Sequence, residues 1–267
     1  MKVRSGDAEL YYDVQGSGFP VVLLHPFPVC HEFWRPVAPQ LAAARYRLIL
    51  PDLRAHGRSE IGEGVATMAK YAEDLAQLLR CESIARAAFI GVSISGYILF
   101  EFWRRYREHL AALMLANTRA TTDTPEGRSR RLRSVEEVQQ NGPASFLDAQ
   151  AQVLIGETTR RNRPDVAANA RALMNAMRAE NISAVQRGMA ERPDSVPTLK
   201  TINVPALIIA GTDDTVTPVA DAELVRAHIP NSRLEVIPNA GHFAVFEYPE
   251  IAGRMIRQFL NSLNLSI

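Results

Sequence analysis

The stretch that decides the fold is Phe89-Ile90-Gly91-Val92-Ser93-Ile94-Ser95-Gly96-Tyr97. The apolar run 87–90 leads into it and predicts a buried strand, and residues 97–109 have the pattern of an amphipathic helix. A serine in a tight turn between strand and helix has a strained backbone, with its hydroxyl above the sheet edge. Ser93 is therefore a candidate nucleophile. Because Gly and Ser are common in turns, the motif alone fits an ordinary turn equally well.

Strands and helices alternate on both sides of this turn. The predicted strands are 9–14, 20–25, 46–52, 110–116, 204–211 and 233–237, and the predicted helices are 35–45, 67–80, 219–229 and 249–263. Several of the strands are continuous apolar runs, which are typical of strands covered on both faces of a parallel sheet. The alternation therefore predicts an α/β fold with a parallel sheet.

The pattern changes after Asn117. Residues 119–200 contain no apolar strand runs and are rich in Arg, Ala, Glu and Gln, and helices are expected at 124–140, 144–154 and 164–178. This region predicts a small helical cap (119–200) inserted into a core formed by residues 1–118 and 201–267. A chain of 267 residues is long enough for one such domain with an insertion.

Composition excludes several classes of function. The chain has 30 Lys and Arg against 29 Asp and Glu, and this balance argues against a general binder of nucleic acid or membrane surfaces. Its two cysteines, Cys30 and Cys81, form no disulfide framework and no metal-ligand spacing, so we expect reduced thiols. No secretory signal and no apolar run of membrane length is evident. We therefore expect a cytoplasmic protein.

Two polar groups follow later strands, where active sites of open α/β sheets form. Asp213 and Asp214 come after strand 204–211, and an acid there can orient a histidine. His242 follows the last strand, and it alone of six histidines completes the chain order Ser, Asp, His. Both features have ordinary explanations, since Asp is common in turns and a lone histidine is usually structural.

Two backbone amides are candidates for an oxyanion hole. Phe27 follows strand 20–25 and keeps its N–H, whereas Pro26 and Pro28 have none. The second donor would be Ile94, directly after Ser93. Two fixed amides aimed at a developing oxyanion supply a large catalytic term.

Other polar and aromatic groups near the strand ends have less specific patterns. The polar loop 52–59 is expected to be structural, with His56 and Arg58 bracing it. Tentative pocket residues are Phe33, Trp34, Val216 and Phe243, although Phe33 and Trp34 equally fit the core. The cap contains Arg128, Arg130, Arg131, Arg133, Arg160, Arg161 and Arg163. One or two of these could bind an anionic substrate, but such runs are more often a solvated helix face.

Five segments in this order resemble the α/β-hydrolase superfamily: His25-Pro-Phe-Pro, Asp52-Leu-Arg-Ala-His-Gly-Arg-Ser, Gly91-Val-Ser-Ile-Ser-Gly-Tyr, Gly211-Thr-Asp-Asp-Thr-Val-Thr-Pro and Gly241-His. The chain is similar to the compact bacterial esterases, lactonases and perhydrolases, including the 3-oxoadipate enol-lactonases. The resemblance implies a mostly parallel eight-stranded sheet flanked by helices, with the cap after the sixth strand and with no cofactor or metal. It implies Ser93 as nucleophile and His242 as base, and its Gly-x-x-Asp spacing selects Asp214 over Asp213.

Three glycines of the family pattern are replaced, by Pro26, Ala55 and Ser95. Each replacement removes backbone freedom. Pro26 bears on the shape of the oxyanion hole. Ser95 has three open interpretations: it crowds the turn, it donates a hydrogen bond near the acyl site, or it is a tolerated small residue.

The expected function is Ser-His-Asp acyl transfer on small carboxylic esters or lactones. The expected partner is that small-molecule substrate, with no nucleic acid or membrane, and homodimer formation is left open. Serine at position 93 argues against the haloalkane dehalogenases and epoxide hydrolases, which have aspartate there. Three alternatives remain. The first is a perhydrolase, since a proline directly after the oxyanion residue, here Pro28, resembles that branch of the family. The others are a carbon–carbon bond hydrolase and a small-ligand receptor with slow turnover, whose turn also reads Ser-x-Ser. The loop 52–59 follows the enzyme pattern.

Overall fold

One eight-stranded sheet forms the centre of the molecule, and the computed structural model describes residues 1–43 and 46–263. The strands are β1 (Lys2–Ser5), β2 (Ala8–Gln15), β3 (Phe19–Leu24), β4 (Tyr46–Pro51), β5 (Ala87–Val92), β6 (Leu110–Ala116), β7 (Ala206–Gly211) and β8 (Ser232–Ile237). Their order is β1-β2-β4-β3-β5-β6-β7-β8. β2 pairs antiparallel with β1 and β4, and every other pairing is parallel. The predicted fold class is therefore confirmed.

Helices flank this sheet and follow most of its strands. They are α1 (Ala38–Ala42), α2 (Met68–Cys81), α3 (Ile94–Tyr106), α4 (Pro125–Asn141), α5 (Ala144–Leu154), α6 (Glu157–Asn162), α7 (Pro164–Leu173), α8 (Ala179–Ala190), α9 (Val196–Leu199), α10 (Val219–His228), α11 (Ala244–Glu247) and α12 (Pro249–Asn261), with 3₁₀ turns at His31–Trp34, Arg107–His109 and Met174–Ala176. α2 packs beside α3, and α1 packs beside α12. In the described ranges, no helix has the length and apolarity to cross a membrane.

The central strands are buried because neighbours cover both of their faces. Every residue of β5 and β7 is buried, and so are most residues of β3 and β6. Their Val, Ile, Leu and Ala side chains form the core on either side of the sheet. Because these strands are parallel, their carboxyl ends meet at one edge, and the loops that follow them lie together there.

The structure differs from the predicted elements at several boundaries. Residues 35–45 do not form one helix: a 3₁₀ turn at His31–Trp34 precedes the short helix α1, and the predicted end at residues 44–45 lies outside the described residues. Pro36 lies between the 3₁₀ turn and α1, and Pro39 lies in the first turn of α1. Because proline fits only the first turn of a helix, these two residues prevent one continuous helix. β1, α6, α8, α9 and α11 were not predicted. β1 has only four residues and sits at the sheet edge, where burial is one-sided.

Six helices, α4–α9, occupy the chain between β6 and β7, where the cap was expected. α8 packs against α4 within this group. It also lies against the core segment before α2, where the Ala66 amide donates to the Ala184 carbonyl at 3.3 Å. Gly188 makes this approach close, because a Cβ there would lie 1.8 Å from the Ala66 carbonyl oxygen.

Replacing Gly188 with alanine should therefore push α8 away from the core. We expect Gly188→Ala to lower the free energy of unfolding by about 2–4 kcal/mol, measured by urea denaturation. Gly127→Ala is the matched control, because a Cβ at Gly127 in α4 meets nothing nearer than 3.4 Å. That variant should be as stable as wild type or more stable by up to about 1 kcal/mol. Equal stability of the two variants would contradict the close packing of α8.

Candidate active site

Ser93 lies in the sharp turn between β5 and α3. Its backbone has φ 57° and ψ −116°, a strained conformation for a residue with a side chain. The turn is held because the Ser93 amide donates to the Ala116 carbonyl at 2.9 Å and the Thr118 hydroxyl donates to the Ser93 carbonyl at 2.8 Å. Strand and helix are so close that a Cβ at Gly91 would lie 2.7 Å from Leu99. Ser93 itself stays partly exposed.

A chain of hydrogen bonds connects Ser93 to the other two predicted catalytic residues. The Ser93 Oγ lies 2.7 Å from His242 Nε2, and His242 Nδ1 lies 2.8 Å from Asp214 Oδ2. Since Asp214 only accepts, Nδ1 carries the proton of a neutral ring and Nε2 is free to accept from the serine hydroxyl. The three side chains come from turns after β5, β7 and β8, as the chain order predicted.

Asp214 is buried, and five hydrogen bonds surround its carboxylate. Oδ2 accepts from His242, from Asn117 Nδ2 at 2.9 Å and from the Thr217 hydroxyl at 2.6 Å. Oδ1 accepts from the amides of Val216 and Thr217 at 2.8 and 2.9 Å. Burial alone would raise the pKa of Asp214, but the electrostatic attraction of His242 and these hydrogen bonds hold that pKa well below its usual value.

Asn117 and Thr217 were not singled out from the sequence. Asn117 is the first residue after β6 and has φ 47°, and Thr217 lies in the loop that contains Asp214. The available signal was position, because polar residues directly after buried strands gather at the same sheet edge. Asp213 has a different partner, since its Oδ2 accepts the Thr158 amide of α6 at 3.1 Å. Asp214 thus faces His242, whereas its neighbour Asp213 faces α6.

The two predicted oxyanion amides lie at the ends of the expected elements. Ile94 opens α3, so its N–H belongs to the first turn, which has no intrahelical acceptor. Phe27 follows β3 and is buried, with its ring 5.9 Å from His56 and 6.1 Å from Phe146 of α5. The oxyanion role of both amides stays a prediction.

Ser95 has a partner that the sequence could not reveal. Its hydroxyl is buried and donates to the His25 carbonyl at 2.7 Å, which joins α3 to the end of β3. The one proton of this hydroxyl is therefore not free to donate near the acyl site. Ala55 keeps the positive φ, 63°, that a glycine would adopt more easily. Its carbonyl accepts from Asn181 of α8 at 3.0 Å.

For three of the four tentative pocket residues, the structure differs from the expectation. Phe33, Trp34 and Phe243 have no exposed surface, so they do not line an open pocket. The ring of Phe33 packs edge-on against both Trp34 and Phe243, at 5.5 and 5.2 Å. These large apolar side chains fill the core under the strand ends. Val216, the fourth, is partly buried.

The loop after β4 braces the structure, as its pattern predicted. The buried Asp52 accepts from the His31 amide and ring and from the Arg58 amide, at 2.7–2.8 Å. His56 and His25 are also buried there, and burial first of all lowers their pKa values to about 4 and about 3. Both rings are therefore neutral at physiological pH.

Among the described residues, one group could hold a metal ion: Cys30, His31 and Asp52. Their potential ligand atoms lie within 4.8 Å of one another. Burial opposes charge on the His31 ring, but hydrogen bonds to Asp52 and Cys30 outweigh it and raise the pKa of His31 to about 10. A metal would have to displace this tightly held proton, since it binds only neutral imidazole. The group therefore fits an ion pair better than a metal site.

The cap arginines divide into bonded and surface groups. Arg131 and Arg163 are engaged within the protein, by Asp123 and Thr159 respectively, whereas Arg130 and Arg133 are exposed on α4. Arg128 donates to the Ala190 carbonyl. Arg160 and Arg161 line a cavity of about 560 Å³ beside the loop that contains Asp214. The cavity is also lined by Gln152, Val153, Ile155, Glu157, Thr158, Asn162, Asp213 and Thr215.

A mostly parallel sheet with a strained serine turn, followed in the chain by an acid and a histidine, defines an α/β hydrolase. The family profile described as alpha/beta hydrolase fold matches residues 20–249, so the chain belongs to this family. It is 31% identical over 263 residues to a putative non-heme bromoperoxidase, BpoC, of Mycobacterium tuberculosis, covering 95% of this chain and 98% of that protein.

Two further relatives are named for hydrolytic activities. The chain is 28% identical to 3-oxoadipate enol-lactonase 1 of Acinetobacter baylyi, covering 87% of this chain and 85% of that protein. The solved structure of a thermophilic esterase from Thermogutta terrifontis superposes with a TM-score of 0.95, at 36% identity and 99% coverage of both chains. The resemblance drawn from the five segments is thereby confirmed at the level of the family.

The His31–Asp52 pair predicts a pH-dependent contribution to stability. The folded pKa of His31, about 10, lies above the value near 6.5 of an unfolded histidine. Its stabilisation is therefore complete below about pH 6.5 and lost as pH rises through about 10. We expect the stability difference between wild type and His31→Gln to shrink by about 1–3 kcal/mol between pH 6 and pH 10, measured by urea denaturation.

The control for this prediction is His228→Gln, which removes an exposed imidazole from the end of α10. The stability of that variant relative to wild type should change much less over the same range than that of His31→Gln. A His31→Gln difference that is constant from pH 6 to pH 10 would mean that the ion pair does not stabilise the fold.

Proposed function

We propose that the protein is a serine hydrolase that cleaves small carboxylic esters or lactones through an acyl-enzyme. The observation that carries this proposal is the continuous hydrogen-bond chain from Ser93 Oγ through His242 to Asp214. An aligned serine, base and acid is the arrangement that activates a hydroxyl for attack on a carbonyl. Family membership and the names of the esterase and enol-lactonase relatives support the substrate class.

In the first step, Ser93 Oγ attacks the carbonyl carbon while His242 Nε2 takes the hydroxyl proton. The carbonyl oxygen becomes an oxyanion, which the amides of Phe27 and Ile94 would bind. Collapse of this intermediate breaks the ester C–O bond, and His242 gives its proton to the leaving alcohol oxygen. The product is an acyl ester on Ser93. In a lactone, the leaving alcohol stays attached to the acyl group.

In the second step, water replaces the alcohol. His242 takes a proton from the water, whose oxygen attacks the acyl carbon, and the same proton returns to Ser93 Oγ as the acid leaves. Asp214 stabilises the imidazolium that forms in both steps. Its carboxylate stays ionised while His242 changes charge, because its own pKa is held so low.

Perhydrolysis is the second candidate, favoured by the bromoperoxidase name of one relative and by Pro28 directly after Phe27. Hydrogen peroxide would then replace water, so that its oxygen attacks the acyl carbon and a peroxy acid leaves Ser93. A substrate panel of short-chain esters, aryl esters and lactones, run with and without peroxide, separates the two activities. Dienoate substrates in the same panel test the carbon–carbon hydrolase alternative.

Ser93 and Ser95 offer a matched pair of variants. We expect Ser93→Ala to lower kcat on 4-nitrophenyl esters by about 10⁴–10⁶-fold, because it removes the nucleophile and leaves only binding and electrostatic effects. Ser95→Ala should keep most of the turnover and lose about 1–2 kcal/mol of stability, since it removes one buried hydrogen bond. Steady-state kinetics and urea denaturation measure the two effects.

Retained turnover in Ser93→Ala would contradict the assignment of the nucleophile, and loss of turnover in Ser95→Ala alone would move that role to Ser95. A wild-type protein that turns over no ester in the panel, yet shows a large thermal shift with one of its small ligands, would favour the receptor alternative.

Arg160 is the cap arginine that we propose for recognition of a substrate carboxylate. It lines the cavity beside the loop that contains Asp214, a cavity that neither Ser93 nor His242 lines, and its Nη1 donates to the Ile155 carbonyl at 3.2 Å. Arg160→Ala should raise KM about tenfold for esters that contain a free carboxylate and leave neutral esters within about twofold. Arg133→Ala, which removes an exposed arginine outside this cavity, is the control and should change neither. Equal effects of Arg160→Ala on both ester classes would exclude charge recognition.

A further inference from the structure

Glu247 is a fully buried carboxylate that the reaction scheme above does not use. It ends α11, the short helix that begins two residues after His242. Its Oε1 accepts the Gly241 amide at 3.0 Å, and its Oε2 accepts the Gly156 amide at 3.1 Å. Gly241 directly precedes His242, and Gly156 directly precedes α6. One side chain therefore joins the histidine loop to the helices inserted between β6 and β7.

The two backbone segments that Glu247 joins are in direct contact. A Cβ on Gly241 would lie 2.1 Å from the Gly156 nitrogen, so neither segment can move towards the other. On the other side of His242, the Phe243 amide donates to the Leu154 carbonyl at 3.1 Å. The residues before and after His242 are thus both held by the segment Leu154–Gly156.

Arg163 is the charged group that acts on Glu247. It donates through Nη1 to the Glu247 carbonyl at 2.6 Å and through Nη2 to the Thr159 hydroxyl at 2.9 Å, and its guanidinium lies over the Tyr248 ring at 4.2 Å. The pKa of Glu247 is raised overall, because burial outweighs the hydrogen bonds from Thr159 and the two amides and the charge of Arg163, which lower it.

We propose that Glu247 is a positioning residue for His242. This inference rests on the role of His242 as general base in the proposed function. Two buried N–H groups need two acceptors, and an ionised carboxylate supplies both with no competing donor. The bridge fixes the backbone at Gly241 and so sets the direction in which the imidazole points. A displacement of about 1 Å at a catalytic base is enough to cost about 10²-fold in rate.

Glu247→Gln tests this role, because it keeps the shape but places an amide N–H₂ against one of the two N–H donors. We expect kcat on a 4-nitrophenyl ester to fall about 10–100-fold, with KM within about threefold. We also expect the far-downfield proton NMR signal of the His242 Nδ1–H to shift or broaden. That signal is assigned by its loss in His242→Gln, and it reports the His242–Asp214 bond without any turnover.

Glu101→Gln is the matched control. Glu101 is a buried carboxylate on α3 that pairs with Arg104 and Arg105, away from the histidine loop. Loss of the Glu101 charge should lower the melting temperature of the protein while leaving kcat and the His242 signal unchanged. This control separates a general loss of a buried charge from a loss of positioning.

A folded Glu247→Gln variant with unchanged kcat and an unchanged His242 signal would overturn the inference. The same holds if the only change in that variant is a lower melting temperature. If Glu247→Gln does not fold, Glu247→Asp takes its place. It keeps the charge but is one methylene too short to reach both amides, and unchanged kcat and signal there would overturn the inference equally. If wild type cleaves no ester but the signal moves in the variant, the proposed function fails while Glu247 still positions His242.

Discussion

The buried negative charge of Asp214 is the constraint on which the arrangement of this sheet edge depends. A carboxylate removed from water costs several kcal/mol unless donors surround it. Here the donors come from the ends of three neighbouring strands: Asn117 after β6, Thr217 after β7 and His242 after β8. The charge is thus stable only when all three loops are in place, and these contacts fix the orientation of the imidazole that faces Ser93.

The central fold and the three catalytic candidates could be predicted because each leaves a local signal. A parallel strand with both faces covered reads as a continuous apolar run, as β5 and β7 do. Chain order then assigns Ser93, an aspartate at 213 or 214 and His242 to the ends of β5, β7 and β8, and the spacing of the resembling family selects Asp214. The hydrogen bonds among them, at 2.7 and 2.8 Å, agree with that assignment.

The remaining features depend on contacts between residues far apart in the chain. Ser95 donates to His25, 70 residues away, so no local pattern could choose among its three interpretations. Phe33 and Phe243 lie near strand ends, but whether an aromatic ring lines a pocket or fills the core depends on its neighbours; here they pack on each other. β1 was missed because four residues at a sheet edge show little periodicity.

The inserted helices hold the loops of the site in place. Thr158 of α6 donates to Asp213, which precedes Asp214, and Gly156 shares Glu247 with Gly241, which precedes His242. The same short segment, residues 156–158, therefore contacts both of the loops that contain Asp214 and His242. Changes of sequence are then best tolerated at Arg130 and Arg133 of α4, which face solvent, and least tolerated around Gly156. A chain built in this way can vary its inserted helices only where they do not hold the loop that contains His242.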